Sequence, residues 1–492
     1  MPVHELSEVP LLSEARHSSP PSPSSEDPGT DIPETTRHRL VITLVVVLLA
    51  FEIGGQLIPG PMVRVIETIS CDRYWHLHDG LSSHIPEHLC NIPAVQAEVA
   101  IVKGYSDLFE GLLCAICAIP YGLLADRYGR RRAIRLTVPG FMLNALITNS
   151  VLWFSNTFPL RGIWLASFSW IIGGGPAVAL VIIWTMLADL TADSQRAMLF
   201  FRVGLASQVA GFLASAISSG LLALNPWISL MIGCGIVTVG LGCAFSLPET
   251  MNLAVKTQDS SDEPVSRPLK LSPRSTLARK IQRLANPYLF VFTCRLILLL
   301  FSFAIFQLAQ GSSAFLTQYI STRYTWTLAR AQLLTSLHAA ATIPVFLLLP
   351  HFSKKVLHYL SLPKRDLQVA RFSILSLAVG SLCVGLSPYI YFLVPSLCLH
   401  ALGAGFALAM QSLMTSLVKR EETARLYSVI EILKSMGSVL GSLCFTNAFK
   451  SGLMISGIGT GVVYIDFLHI FLWPPTILPR APARLSLGKD SS

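Results

Sequence analysis

Apolar runs long enough to cross a lipid bilayer recur along almost the whole chain, far more than one soluble core could bury. A hydrocarbon layer about 30 Å thick needs about 20 consecutive apolar residues in a helix, and about twelve such runs can be read in the 492 residues. They cover 40 to 61, 104 to 125, 133 to 154, 162 to 188, 197 to 223 and 227 to 247, then 288 to 318, 329 to 350, 369 to 387, 390 to 418, 426 to 449 and 453 to 472. Only 13% of the residues are charged, against about 25% in ordinary soluble domains, and the mean hydropathy is +0.57. Lipid offers the backbone no hydrogen-bond partners, so each run is predicted to be a helix. The expected fold is an all-α membrane protein with twelve transmembrane helices.

An even number of crossings returns the chain to its starting side, and charge says which side that is. About 27 of the 37 Lys and Arg fall in the termini and the connections on the same side as them. Positive charge stays cytoplasmic, so both tails are predicted to be cytoplasmic, in a multi-pass protein of the plasma membrane. The net charge of +9 follows from that asymmetry facing anionic lipid, and no nucleic-acid partner is needed to explain it. Residues 1–39 form a polar, Ser/Pro-rich tail predicted to be disordered. The first helix is expected to serve as its own uncleaved insertion signal. The polar break at 248–287 divides the spans six and six, giving a first half at 40–247, a second at 288–472 and a short tail at 473–492. Such a division suggests two pseudo-symmetric halves. Helix one carries AFEIGGQ and helix seven IFQLAQG, so that Glu52 faces Gln307 as its repeat counterpart.

The most specific motif lies between helices two and three: Gly122, Leu123, Leu124, Ala125, Asp126, Arg127, Tyr128, Gly129, Arg130, Arg131, Arg132. It resembles the signature loop G-x-L-x-D-R-x-G-R-[RK] of the major facilitator superfamily, with every fixed position filled. Further along, ADLTADSQRAMLFF, with Asp189 and Arg196, looks like that family's pattern between helices four and five, and LPET closes helix six as it often does there. PMVRVIETISCDRY and ARLYSVIEILKSMGSVLG look like a fungal branch of the family. The resemblance implies alternating access between two six-helix halves. It also implies that Gly122, Asp126, Arg127, Gly129, Arg130 and Arg131 belong to a cytoplasmic gate, with Gly122 allowing a close helix approach. Two motifs depart from the family pattern. Ser169 and Ile172 stand where a helix-four motif has Arg and Gln, and Phe212 replaces the Pro of a helix-five antiporter motif.

Charges inside the apolar runs are the remaining guide to coupling, since an ionisable group at membrane depth is costly and tends to be functional. They are Glu52, Asp107, Glu110, Arg202, Arg295, Glu431, Lys434 and Asp466. Glu431 and Lys434 are spaced to pair on one helical face, as Asp107 and Glu110 are spaced to share one. Arg202 and Arg295 can snorkel to the inner surface, or Arg295 can meet an anionic substrate group. Three and four residues from Glu52 stand Leu48, Leu49, Gly55 and Gln56, all uncharged. Its partner is therefore expected from another helix, a substrate or a proton, and a coupling role and a structural hydrogen bond both stay open. The proton- or substrate-binding candidates are thus Glu52, Gln56, Asp107, Glu110, Arg202, Arg295, Gln307, Glu431 and Lys434.

Cys71 and Cys90 lie in the outward segment after helix one, where an oxidising exterior favours a disulfide. Cys114 and Cys117 form a CxxC in an apolar helix, read as packing and not as a redox or zinc site. His76, His78, His84 and His88 read as a solvated outer loop, with no metal assigned. His338 and His400 lie within helices eight and ten, where each can bond a substrate or a neighbouring helix.

These features describe a secondary transporter of a small organic solute, working as a monomer without a cofactor and driven by a solute or proton gradient. No G-x(4)-G-K-[ST] phosphate loop occurs, because the Gly488-Lys489 pair is followed by Asp490. Fungal relatives with this organisation often export toxic or secondary metabolites, which favours proton-coupled efflux. Proton symport into the cell and a non-transporting membrane sensor are the alternatives. No clustered nucleophile, base or metal ligands suggest an enzyme.

Overall fold

The computed structural model describes residues 34–78, 85–191, 193–247, 293–311, 315–418 and 423–455. The N-terminal tail before residue 34, the 248–287 break, the twelfth run beyond Ile455 with Asp466, the 473–492 tail and His84 lie outside the described residues. Within them all regular structure is helical.

The first apolar run forms α1 (Glu34–Leu57), which breaks at Ile58 and continues as α2 (Pro59–His78). The break has a covalent cause. Pro59 and Pro61 have no N–H to donate, which frees the carbonyls of Gly55 and Leu57 four residues back. The Leu57 carbonyl is taken up from outside the rod, by Ser229 Oγ at 3.2 Å and Ser218 Oγ at 3.5 Å. What sequence reading took as a long outer loop is therefore largely helix, followed by a short 3-10 turn at Glu87–Cys90.

The second run is longer than its apolar centre. Helix α3 spans Pro93–Tyr128, 36 residues or about 54 Å at 1.5 Å per residue. Gly129, at φ 97°, turns the chain sharply into α4 (Arg130–Trp153). The fourth run is not one helix. It climbs through short turns, including α5 (Ile163–Ala166) and α6 (Trp170–Gly173), breaks at Gly174 and Gly175 with φ of 73° and 85°, and resumes as α7 (Gly175–Asp189). The first half closes with α8 (Asp193–Leu224) and α9 (Pro226–Ala244).

The second half repeats the pattern. Its seventh run stops at Gln310 in α10 (Cys294–Gln310) and goes on as α11 (Leu316–Tyr324), as α1 goes on into α2. Helices α12 (Leu328–Val356) and α13 (Leu362–Leu386) follow. The tenth run splits into α14 (Ile390–Ala401) and α15 (Gly405–Ser416), as the fourth run splits, and α16 (Thr423–Ile455) is long like α8. Across the halves α3 packs on α16 and α8 on α12, so each half offers two long helices to the other.

Apolar association supplies little drive between helices in lipid, and close packing of small residues takes its place. Helix α1 meets α9 where Gly54 lies against Val237 and Gly240 against Ala50. Helix α4 meets α6 backbone to backbone, since a Cβ on Gly140 would lie 2.5 Å from Gly173 Cα. Outward-facing Val46, Leu146, Ile217, Val239, Leu348 and Phe372 are exposed, as expected of a lipid-facing surface. Substituting Gly140 by Val would force two backbones apart. We expect a loss of about 1–3 kcal/mol from overpacking, read as a lower melting temperature of the purified protein in detergent.

Candidate functional site

Polar groups gather at three depths between and within the halves. The set at one end is built on the helix break and the disulfide. Cys71 on α2 is bonded to Cys90, with Cα atoms 5.3 Å apart, and this holds the turn bearing Glu87 beside α2. Arg64 Nη1 donates to Glu67 Oε2 at 2.6 Å, and its other terminal nitrogen lies 3.5 Å from Glu87 Oε2. Glu67, only 2% exposed, also accepts from Gln96 Nε2 at 2.6 Å. A carboxylate this deep needs such partners.

From this base the first half reaches the second. Gln318 Nε2 on α11 donates to Gln96 Oε1 at 2.9 Å and to its carbonyl at 3.0 Å. The Leu328 N–H, first in α12, donates to Glu87 Oε1 at 2.8 Å, so a carboxylate meets the positive amino end of that helix. Asn91 Nδ2 donates to the Ser321 carbonyl at 3.2 Å, and Ser219 Oγ to that of Ala329 at 2.8 Å. Deeper in, Gln332 Nε2 donates to Ser215 Oγ at 3.0 Å, and Ser442 Oγ to the Gly104 carbonyl at 3.1 Å. Thr446 fills the space against Gly104. The two halves are clasped at the disulfide end.

In the middle depth Glu52 is half-buried on α1 and is hydrogen-bonded to Gln56, one turn along its own helix. The partner expected from elsewhere is thus found at i+4, because a neutral amide can satisfy a carboxyl where a charge is missing. Gly211 of α8 faces this pair, and a Cβ there would lie 3.2 Å from Glu52 Oε1. On α3, Lys103 Nζ lies 2.9 Å from Asp107 Oδ2 and 5.1 Å from the centre of the Phe315 ring in the second half. Glu110 is half-buried one turn further. Sequence reading began this helix at residue 104 and so left Lys103 outside it; its spacing of four from Asp107 was the available signal. Gln307, the proposed counterpart of Glu52, packs through its Cβ against Gly437 of α16. Arg202 is exposed, and Lys434 is half-buried on α16. The side chains of Asp126, Arg196, Arg295 and Glu431 lie outside the described residues, and with them the expected Glu431–Lys434 pair.

At the innermost depth the two family-like motifs meet. Arg130, at the start of α4, pairs with Asp189 at the end of α7 and donates to the Thr185 carbonyl at 2.9 Å. Sequence reading assigned these residues to separate motifs, and their contact within one half was missed. Arg131 is half-buried in the same first turn of α4, while Arg127 is exposed, its guanidinium 5.5 Å from the centre of the Tyr128 ring. Among the described residues, no heavy atom outside its own helix lies within 4 Å of where a Cβ on Gly122 would be, so the close approach expected there is not seen among them.

A family profile described as Major Facilitator Superfamily matches residues 108–442. The chain is 41% identical over 480 residues, 95% of its length and 94% of the relative's, to a protein of Aspergillus flavus named MFS-type transporter aprT. It is 29% identical over 458 residues, 90% of its length and 88% of the relative's, to the MFS efflux pump atnC of Emericella nidulans. Among solved structures, a D-xylose–proton symporter superposes with a TM-score of 0.60 at 13% identity, covering 89% of this chain and 96% of that one. The human organic anion transporter MFSD10 does so with a TM-score of 0.58 at 15% identity, covering 91% and 100%. At those identities the likeness concerns the fold.

The clasp gives a direct test. Removing the Glu87 carboxylate with Glu87→Ala takes away a charged acceptor at a helix end, a change of about 1 kcal/mol. With Thr446→Cys as a reporter buried under the clasp, a membrane-impermeant maleimide applied from outside should label that site about five-fold faster in Glu87→Ala. The reporter peptide is followed by mass spectrometry, which separates it from the native cysteines.

Proposed function

This chain belongs to the major facilitator superfamily of membrane transporters, and from that premise we propose that it exports a small organic solute, a fungal secondary metabolite, in exchange for protons. The observation that carries this reading is 41% identity, in an alignment covering 95% of the chain, to a named fungal transporter, with further relatives named efflux pumps. The arrangement of charge supports it. The arginines after α3 sit at the opposite end of that helix from the disulfide. A basic turn in the cytoplasm and a cystine in an oxidising exterior accord with that arrangement. In this reading both termini are cytoplasmic and the clasp faces outside, in a plasma-membrane protein working as a monomer.

Alternating access requires the clasp to open outward when the cytoplasmic side closes. In this reading Gly122, Asp126, Arg127, Gly129, Arg130 and Arg131, with Asp189 and Arg196, form the cytoplasmic gate. The Arg130–Asp189 pair holds α4 to α7 as a rigid piece of that gate. Glu52, Gln56, Lys103, Asp107 and Glu110 are polar groups on helices α1 and α3, available to a solute with few fixed charges. Arg202, Arg295, Gln307, Glu431 and Lys434 are further candidates.

Deleting the gene should lower the extracellular and raise the intracellular pool of one metabolite class, measured by untargeted mass spectrometry. Restoring the wild-type chain should reverse the change, and restoring Glu52→Gln should recover about a tenth of it or less if that carboxyl binds cargo or proton. In vesicles, accumulation of the same metabolite along with an inward proton gradient would establish symport and sink the export reading.

A further inference from the structure

Away from the groups considered so far, two histidines meet at mid-membrane depth in the second half. His338 is the eleventh residue of α12, and His400 the eleventh of α14. Both helices begin at the clasped end, so both rings lie about 15 Å below it at 1.5 Å per residue. His338 Nε2 and His400 Nδ1 are 3.0 Å apart, a hydrogen bond in which one imidazole donates and the other accepts. His400 is 8% exposed and His338 half-buried. The close fit is built in, because a Cβ on Gly380 of α13 would lie 2.6 Å from the His400 backbone nitrogen.

The surroundings are poor in charge. On α12 itself the flanking groups are Arg330, eight residues toward the outside, about 12 Å along the helix, and His351, Lys354 and Lys355 toward the inside. Helix α13 carries Lys364, Arg365, Asp366 and Arg371, of which Arg371 is nine residues, about 13 Å, from Gly380, with Cys383 beyond it. Helix α8 carries Asp193, Arg196 and Arg202, all toward the inner end, whereas it is Ser215 that bonds Gln332 of α12. Helix α11 brings Tyr319, Arg323 and Tyr324, and α2 brings Arg64 and Glu67, all at the outer end. Helix α14 adds Cys398, and α15 carries no ionisable residue.

A bridge needed only to hold two helices together can be made from amides or hydroxyls, which do not change charge. Two imidazoles add the capacity for one proton. When His338 donates, an incoming proton binds the lone pair of its Nδ1; when His400 donates, it binds His400 Nε2. Either way the bridge survives, with an imidazolium donating to an imidazole. A second proton would leave two cations and no acceptor between them. We propose that the His338–His400 pair is the site that carries the exchanged proton, one per cycle, loaded from the outside and released as the neutral pair to the cytoplasm. This rests on the proton-exchange reading above and places the proton in the second half, away from Glu52.

A positive charge is costly in the apolar setting described here, so protonation favours the state in which the halves part and water reaches the pair. With the Thr446→Cys reporter in the otherwise intact protein, outside labelling by an impermeant maleimide should quicken about five-fold or more from about pH 8 to about pH 5.5, after correction for the reagent's own pH dependence. Gln reproduces the position of an imidazole Nε2 and Asn that of Nδ1. The double variant His338→Gln/His400→Asn therefore rebuilds an amide bridge that cannot titrate, and it should label at one rate across that range. His351→Asn, at an exposed histidine of the inner end, should keep the response. A wild-type rate indifferent to pH, or a response that persists in the double variant, overturns the proposal. Metabolite export that survives such a result would leave the transport reading standing.

Discussion

The outer closure depends on how one buried carboxylate orients one amide. Glu67 sits where water hardly reaches, and Arg64 and Gln96 both donate to it. Once the Gln96 N–H group is committed to Glu67, its carbonyl oxygen is the end presented to the second half, and that oxygen can only accept. It therefore selects a donor, which Gln318 supplies. A substitution at Glu67 would release the amide to turn and would leave Gln318 facing either end of it. The cross-half contact is thus specified from within the first half.

Tasks are separated by depth. The disulfide-held turn and the Gln96–Gln318 bond close one end, while the Arg130–Asp189 pair joins α4 to α7 at the opposite end of the first half. Between them, Glu52 is held by its own helix and the histidines by two different helices. That difference matters for a moving machine. A bond within one helix travels with it unchanged, whereas a bond between α12 and α14 registers any shift between them.

Much of this could be read from the sequence because lipid imposes long apolar runs, and the glycine, aspartate and arginine spacing after α3 is specific. The run at 162–188 looks like one helix by hydropathy, yet Gly174 and Gly175 break it, since positive φ leaves no mark in hydropathy. The first run was read correctly as apolar but stopped too early. Past Pro61 the residues become polar, and only the pairing of Arg64, Glu67 and Gln96 explains why helix continues there. Cys71 and Cys90 were legible from compartment chemistry alone. The Glu52–Gln56 bond leaves no charge pattern to mark it, because an amide satisfies the carboxyl, and His338 and His400 stand 62 residues apart in the chain. No single-sequence pattern reports a contact of that kind.

The break at Ile58 joins two of these depths mechanically. Glu52 lies six residues before it and Arg64 six residues after, so the central carboxyl and the base of the outer clasp occupy equal arms of about 9 Å on either side of one joint. The joint's freed Leu57 carbonyl is held by serines of α8 and α9, which fixes the pivot to the first half. A tilt of α2 that lets go of Gln96 is then a rotation about a fixed fulcrum. Its angle, more than its displacement, is what reaches Glu52.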